Sequence, residues 1–171
     1  NGDRLMDVGC GNGRFLEYLH SSKKKFELHG IEIQAKAALR ATYRLKGKAW
    51  IHTVTQLEKF FGKNSFNAVS YIHVFEHLNN PAEVFDELKN VVRNEGKLLI
   101  VIPNIESWQF KLFKSNWFHL DYPRHLNFYT FELINKEMLD RGFKLVKFKN
   151  FDFEQGPFGF IQSFFNMFTL K

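Results

Sequence analysis

Residues 5–14 read LMDVGCGNGR, a short apolar run that enters three glycines at alternate positions. Leu5–Val8 has the composition of a buried strand, and the residues after Gly13 have helical spacing, so the stretch predicts a strand, a tight turn and a helix. Glycines let the chain turn sharply and let a ligand approach the backbone where no Cβ stands in the way. The stretch therefore predicts a ligand-binding turn at the carboxyl end of the first strand.

An acidic residue supports this interpretation. Glu32 follows Gly11 by twenty-one positions, at the end of the next predicted strand, where a carboxylate can accept hydrogen bonds from ribose hydroxyls. Together, turn and acid indicate a ligand that contains adenosine. A dinucleotide fingerprint needs a third glycine three positions after Gly11, and Arg14 stands there instead. A nicotinamide-dependent oxidoreductase remains an alternative that Arg14 disfavours.

Short β-rich runs alternate with longer runs of helical spacing from residue 4 to about residue 103, which is the pattern of βαβ units and a parallel sheet. The predicted strands are Leu5–Val8, Leu28–Ile31, Trp50–Val54, Ala68–Ile72 and Lys97–Ile102. A helix is predicted before the last of these strands. Asn80 is its cap, Pro81 lies in its first turn and Gly96 lies just past its end. Its apolar stripe consists of Val84, Phe85, Leu88, Val91 and Val92.

The alternation stops after Pro103. Residues 104–129 are rich in aromatic side chains without a clear period, and we interpret them as an insertion over the sheet edge. A further helix begins after the potential cap Thr130 and ends at Gly142, and a strand is predicted at Lys144–Phe148. Neither a repeat nor a linker divides the chain, so residues 1–171 are expected to form a single domain.

Composition narrows the function classes. The chain holds 44% hydrophobic residues but no apolar run of membrane-spanning length. Its net charge of +6 is spread along the sequence, so nucleic acid is not the expected partner. A single cysteine suits a reducing compartment, and a cytoplasmic location is predicted. The 21 phenylalanines are concentrated beyond residue 105, where some are expected to line an apolar pocket and most to pack in the core. Residues 156–168 are expected to form an apolar wall or a membrane-facing helix, or to pack against further carboxyl-terminal residues.

These motifs resemble those of the class I S-adenosylmethionine-dependent methyltransferases. Asp7–Gly13 is similar to the family's glycine-rich turn, Phe66–Val69 with Val74–Leu78 to its fourth strand and following helix, and Gly96–Asn104 to its fifth strand. Within the family, Asp121–Leu126 and residues 154–159 resemble a bacterial branch that includes enzymes of quinone and of cell-surface polysaccharide or lipid synthesis.

The resemblance implies an α/β, Rossmann-like methyltransferase fold: a mostly parallel twisted sheet flanked by helices, with the aromatic-rich insertion after the fifth strand. It implies S-adenosyl-L-methionine as cofactor and S-adenosyl-L-homocysteine as product. The methionine part of the cofactor would lie against the glycine turn, and its ribose would contact Glu32. The adenine would lie beside Ile33 and the methyl group beside His73. The implied contact residues are Asp7, Gly9, Cys10, Gly11, Asn12, Gly13, Glu32, Ile33 and His73.

The chain departs from the family pattern at three places. Thr53–Gln56 lacks the aspartate that usually meets the adenine amine, and Asn67 replaces the usual aspartate of the fourth strand. The helix that commonly precedes the first strand is not in the sequence, so we expect the chain to be trimmed at one or both ends. The first two departures keep open a second alternative, a catalytically degenerate methyltransferase-like scaffold.

Methyl transfer from a sulfonium is a direct displacement that mainly requires alignment and exclusion of water. If the acceptor atom is a hydroxyl oxygen, a base assists, and a histidine titrates in the useful range. The candidates are His77, His125 and His119, in that order, with Glu76 as a potential partner. The acceptor is expected to be a small molecule or a lipid- or sugar-linked compound, and the sequence does not distinguish oxygen, nitrogen and carbon acceptors.

Overall fold

The computed structural model describes residues 2–150 and 155–169, and these residues divide into two compact units. The sheet unit comprises Asn1–Phe75 and Asn80–Val101, and the helical unit comprises Glu76–Asn79 and Ile102–Lys171. Part of residues 154–159, which carried one of the family resemblances, lies outside the described residues. The single-domain expectation stays a prediction.

Five parallel strands form the sheet unit, in the order β3-β2-β1-β4-β5. They are β1 Asp3–Val8, β2 Phe26–Ile31, β3 Trp50–His52, β4 Phe66–Ile72 and β5 Val92–Val101. The central strands are buried on both faces, as all-parallel sheets require, with Met6, Leu28 and Val69 nearly inaccessible to solvent. The predicted α/β fold with a parallel sheet is confirmed.

Four helices of the sheet unit connect the strands: α1 Arg14–His20, α2 Ala35–Leu45, α3 Leu57–Phe61 and α4 Pro81–Val91. The predicted stripe of α4 is buried at Phe85, Leu88 and Val91, and Pro81 lies in its first turn. Two details predicted for the end of this helix were wrong. Val92 opens β5 instead of closing the helix, and Gly96 lies within β5 because that strand begins five residues earlier than predicted and leaves no terminal loop for it.

Strand register brings the candidate cofactor residues to one edge of the sheet. Asp7 of β1 pairs with Gly30 of β2 on one side and with Ser70 of β4 on the other. All three strands run in the same direction, so their carboxyl ends, and the turns that follow them, meet at this edge. This is where ligands bind in open parallel sheets.

The helical unit contains α5 Trp108–Phe113, α6 Phe131–Asp140 and α7 Gln155–Thr169, together with short 3-10 turns at Lys114–Asn116 and Phe118–Leu120. Thr130 caps α6 as predicted, since its hydroxyl accepts a hydrogen bond from the Leu133 amide. The predicted strand at Lys144–Phe148 is wrong. No described strand pairs with this exposed segment, and a strand without a ladder partner is not stable.

Candidate functional site

The turn after β1 is held by the backbone of β2. The amides of Gly9 and Cys10 both donate to the carbonyl oxygen of Ile31, at 2.8 and 3.0 Å. Gly9 has φ +69°, and a Cβ built on it would lie 2.4 Å from Cγ2 of Val74. Glycine is therefore required there by both backbone conformation and space.

Gly11 is different, because it also has positive φ (+54°) but a Cβ built on it would meet nothing within 4 Å. The space beside it is open, as a turn that admits a ligand to its backbone requires. Its amide donates to Oε2 of Glu32 at 3.0 Å. The other carboxylate oxygen, Oε1, accepts from the amide of Gln34 at 2.8 Å. The acid that follows β2 is thus fixed against the turn, and each of its oxygens retains a second acceptor position for a hydroxyl.

Asp7 is the buried carboxylate of the site. Only 4% of it is exposed, and Oδ1 accepts a hydrogen bond of 2.6 Å from the Ser70 hydroxyl. Burial raises its pKa to about 6, which the Ser70 hydrogen bond partly offsets. Among the described residues no cationic side chain forms an ion pair with Asp7. Above its pKa, Asp7 therefore holds a buried negative charge that none of these side chains neutralises.

The other turn residues have different surroundings. The Cys10 side chain packs in the core with Leu16 and Leu28, where burial, assisted by the charges of Asp7 and Glu32, raises its pKa to about 12. Its thiol is therefore a packing group. Asn12 is exposed and its carbonyl accepts from Nε of Arg44, and Gly13 caps α1.

Two further predicted contact residues follow the strand ends. Ile33 lies directly after the buried Glu32 and is 68% exposed, so its side chain is open to contact at this edge of the sheet. His73 follows β4 with φ +56°, and its amide donates to the Val101 carbonyl at 2.9 Å. A non-glycine residue in the left-handed region costs free energy, and such residues are concentrated at functional sites.

Sequence reasoning missed two polar partners, Ser70 and Gln34. It also missed the contacts of Asn67, whose Oδ1 accepts from the amide of Arg4 at 2.9 Å and from Nη1 of Arg93 at 3.1 Å. Asn67 therefore links strands β1, β4 and β5.

The candidate bases lie in the helical unit. The His77 and His125 rings meet edge to face with centroids 4.8 Å apart. Nδ1 of His77 bonds the Arg124 carbonyl at 2.9 Å, and Nδ1 of His125 bonds the His119 carbonyl at 2.6 Å. The His119 ring itself packs between the rings of Trp117 and Phe118. The structure thus brings two of the three predicted histidines together, and the third orients one of them through its backbone.

The parallel sheet, the glycine turn and the following acid define a nucleoside-binding α/β domain. A family model described as a methyltransferase domain matches residues 1–148, and the chain therefore belongs to the methyltransferase domain family. An S-adenosylmethionine-dependent methyltransferase from Archaeoglobus fulgidus has the same fold, with a TM-score of 0.73 at 24% identity over 89% of this chain and 66% of that chain. The resemblance to class I methyltransferases, the fold and the cofactor of that class are confirmed.

Two curated relatives are similar in sequence. An uncharacterised protein of Methanocaldococcus jannaschii is 26% identical over 85% of this chain and 54% of its own length. The chloroplastic tocopherol O-methyltransferase of Arabidopsis thaliana is 34% identical over 57% of this chain and 29% of its own length. The chain thus spans about half of the first relative and less than a third of the second.

The described residues fit S-adenosylmethionine. Gly11 has open space beside it, Glu32 keeps acceptor positions for hydroxyls, and Asp7 presents a buried carboxylate without a cationic partner. None of the helices formed by the described residues has the length and apolarity needed to cross a bilayer.

Proposed function

We propose that this chain is the catalytic domain of a class I methyltransferase that transfers the methyl group of S-adenosylmethionine to a small-molecule or lipid-linked acceptor. The observation that carries the proposal is the pair of carboxylates on either side of an open glycine turn. Glu32 is held by the amides of Gly11 and Gln34, while Asp7 is buried beside Ser70. Glu32 suits the hydroxyl groups of the cofactor, and Asp7 suits its ammonium group.

Each residue then has a distinct part in binding. Glu32 accepts hydrogen bonds from the ribose hydroxyls, Asp7 pairs with the methionine ammonium, and the exposed Ile33 covers one face of the adenine. Gly11 allows the cofactor to lie against the backbone, and Gly9 allows the turn to pack against Val74. The bound cofactor supplies an electrophilic methyl group, and these residues align it and exclude water from it.

We propose an oxygen nucleophile, whose proton is accepted by His77, with His125 and then His119 as the next candidates. The carbonyls of Arg124 and His119 only accept hydrogen bonds, so the Nδ1 atoms of His77 and His125 carry protons in the neutral rings. Nε2 of each ring then has the lone pair that a general base needs. The tocopherol O-methyltransferase relative, an oxygen methyltransferase by its name, supports this choice of acceptor atom.

An apolar acceptor at a membrane surface is supported by α7. This helix directs small or polar residues inward: Ser163 is fully buried, its hydroxyl accepting from the Phe118 amide at 2.8 Å and donating to the Gly159 carbonyl at 2.6 Å. Phe160 packs against the rings of Trp108 and Phe113. Other large apolar side chains of the helix are exposed: Phe158, Ile161, Phe164, Phe165 and Met167. A helix of this kind suits an apolar surface. The cytoplasmic location, the bacterial origin and the quinone or cell-surface branch stay predictions from the sequence.

Titration calorimetry with the full chain tests the proposal. S-adenosylmethionine and S-adenosylhomocysteine are expected to bind at micromolar Kd and NAD not to bind. Glu32→Gln leaves one backbone amide without its acceptor and removes charge from the ribose contact, so it should weaken binding at least about 10-fold. Gly11→Ala should do the same, since its Cβ would occupy the open space.

Gly47→Ala is the matched control for Gly11→Ala. Gly47 also has positive φ with nothing within 4 Å of a built Cβ, so both variants carry the same conformational cost. Only Gly11→Ala should change cofactor affinity. Binding of NAD instead would favour the oxidoreductase alternative, and absence of binding to all three ligands would favour the degenerate scaffold.

A further inference from the structure

Three metal-ligating side chains of the helical unit come together outside the cofactor turn. Glu76, His77 and His125 each offer one ligand atom, and these atoms all lie within 4.8 Å of one another. Two imidazole nitrogens and a carboxylate oxygen form a ligand set that suits Zn²⁺ and other divalent first-row transition metals.

Both imidazoles are oriented as metal ligands usually are. Nδ1 of His77 donates to the Arg124 carbonyl and Nδ1 of His125 donates to the His119 carbonyl. A ligating histidine typically donates its other ring N–H to a carbonyl or a carboxylate, which fixes the ring and its tautomer. The lone pairs on the two Nε2 atoms therefore remain available for a cation.

The backbone fixes the two contributing segments against each other. The amides of Leu126 and Asn127 both donate to the carbonyl oxygen of Glu76, at 2.7 and 3.1 Å. The Asn127 side chain also donates to the carbonyl of Leu78. These bonds, with that of His77 to Arg124, hold the ligands in place before any ion arrives.

The three side chains of the cluster differ in their exposure to solvent. Glu76 is 1% exposed and the His125 side chain 9%, whereas His77 is exposed. A cation therefore has access from solvent on the side of His77 and is shielded on the other sides. Ligand atoms around a tetrahedral Zn²⁺ lie about 3.4 Å apart, so ligand atoms that are up to 4.8 Å apart must draw together by about 1.4 Å or less when a cation binds.

We infer that Glu76, His77 and His125 bind one divalent transition-metal cation of the Zn²⁺ type. The inference does not rest on the proposed methyl transfer. A coordinated Nε2 cannot accept a proton, so a bound cation and base action by His77 exclude each other, and the cation would inhibit any transfer that needs this base. A competing explanation of the cluster is an ion pair between His125 and Asp121, whose Oδ2 lies 3.8 Å from His125 Nε2.

Titration of the metal-free full chain with Co²⁺, followed by visible absorption, and with Zn²⁺, followed by calorimetry, tests the inference. One cation per chain is expected, at micromolar Kd or tighter, with the absorption bands of nitrogen and oxygen ligation. His77→Ala, His125→Ala and Glu76→Gln should each weaken binding at least about 10-fold. His20→Ala removes an exposed histidine of α1 and is the matched control, expected to leave binding unchanged.

His77 is exposed, so its variant is expected to fold even if a variant at the buried Glu76 does not, and circular dichroism checks each one. Absence of saturable binding would overturn the inference. So would weak binding of several cations, or affinity that His77→Ala and His125→Ala leave unchanged, because either result marks adventitious contacts with scattered histidines.

Discussion

The buried carboxyl of Asp7 carries an electrostatic cost. Its pKa rises on folding from 3.8 to about 6. A carboxyl with a raised pKa stabilises the folded state only while it is protonated. Its contribution is present below pH 3.8 and is lost as the pH rises through 6. Above pH 6 the ligand-free protein therefore holds a charge that is more stable in the unfolded chain.

Asp7→Asn removes this charge and keeps an oxygen to accept the Ser70 hydrogen bond. We expect the ligand-free variant to be more stable than the wild type by about 2–3 kcal/mol at pH 7.5 and nearly equal to it at pH 4. Urea unfolding at both pH values measures the difference. Asp3→Asn changes an exposed aspartate of the same strand and serves as control. A stability gain that is equal at both pH values would show that the charge of Asp7 is not its source.

Gly9 and Gly47 distinguish the two physical reasons for a glycine, which are a positive φ and the lack of space for a Cβ. Both have positive φ, but only at Gly9 would a Cβ meet another side chain, at 2.4 Å from Val74. Gly47→Ala should cost roughly 1–2 kcal/mol for conformation alone. Gly9→Ala should cost about 1–3 kcal/mol more because of the overlap. Thermal and urea unfolding compare the two variants, and equal losses would mean that Val74 moves aside freely.

The sequence alone predicted those site residues that can be recognised from a local pattern along the chain. The turn and Glu32 were predictable because alternate glycines after one strand and an acid at the end of the next are visible in the sequence. Ser70 was not, since it lies 63 positions from Asp7 and the contact depends on the register of β1 against β4. The roles of these residues toward the cofactor and the acceptor stay predictions.

At the scale of elements, short β-rich runs between helical segments predicted five strands and their order in the chain. The same kind of run failed at Lys144–Phe148, which has no described strand beside it. A local pattern shows that a segment would suit a sheet but not whether a neighbouring strand exists. The same reason explains why β5 begins at Val92, where pairing with Phe66 and not local composition sets the start.

The β2 and β3 strands carry a histidine pair that should make the sheet unit sensitive to acid. Nδ1 of His29 lies 3.2 Å from Nε2 of His52, and burial lowers the pKa of both rings. The folded state keeps these rings neutral while the unfolded chain takes up protons below pH 6.5. The stability they contribute is thus present above pH 6.5 and is lost as the pH falls through the lowered pKa values.

His29→Phe tests this sensitivity within the aromatic cluster that surrounds the ring. Phe61 and Phe66 contact His29 edge to face at 5.5 and 5.4 Å, so a phenylalanine is accommodated. We expect the variant to lose less stability than the wild type between pH 7.5 and pH 5.5, measured by urea unfolding. His20→Phe, an exposed histidine of α1, should leave the wild-type pH dependence intact. An identical loss in His29→Phe and wild type would refute this role for the pair.

At the scale of the whole molecule, net charge and exposed apolar surface are the two features behind the proposed membrane contact. The chain carries a net charge of +6, and α7 exposes large apolar side chains while it buries Ser163. Cationic charge attracts anionic lipid headgroups, and apolar side chains partition into the boundary below them. Both features were visible in composition, but the inward direction of Ser163 was not, because it depends on the Phe118 amide that meets it.

The full chain should therefore bind vesicles that contain phosphatidylglycerol more tightly than vesicles of phosphatidylcholine alone, and binding should weaken in high salt. Ile161→Gln with Phe165→Gln removes two exposed apolar side chains, each worth about 1.5 kcal/mol or more when fully buried, so vesicle affinity should fall at least about 10-fold. Leu39→Gln with Tyr43→Gln makes the matched change at exposed positions of α2. Co-sedimentation measures all three proteins. Equal losses in the two double variants would show general surface hydrophobicity at work, and binding that neither pair alters would remove α7 as the membrane-facing element.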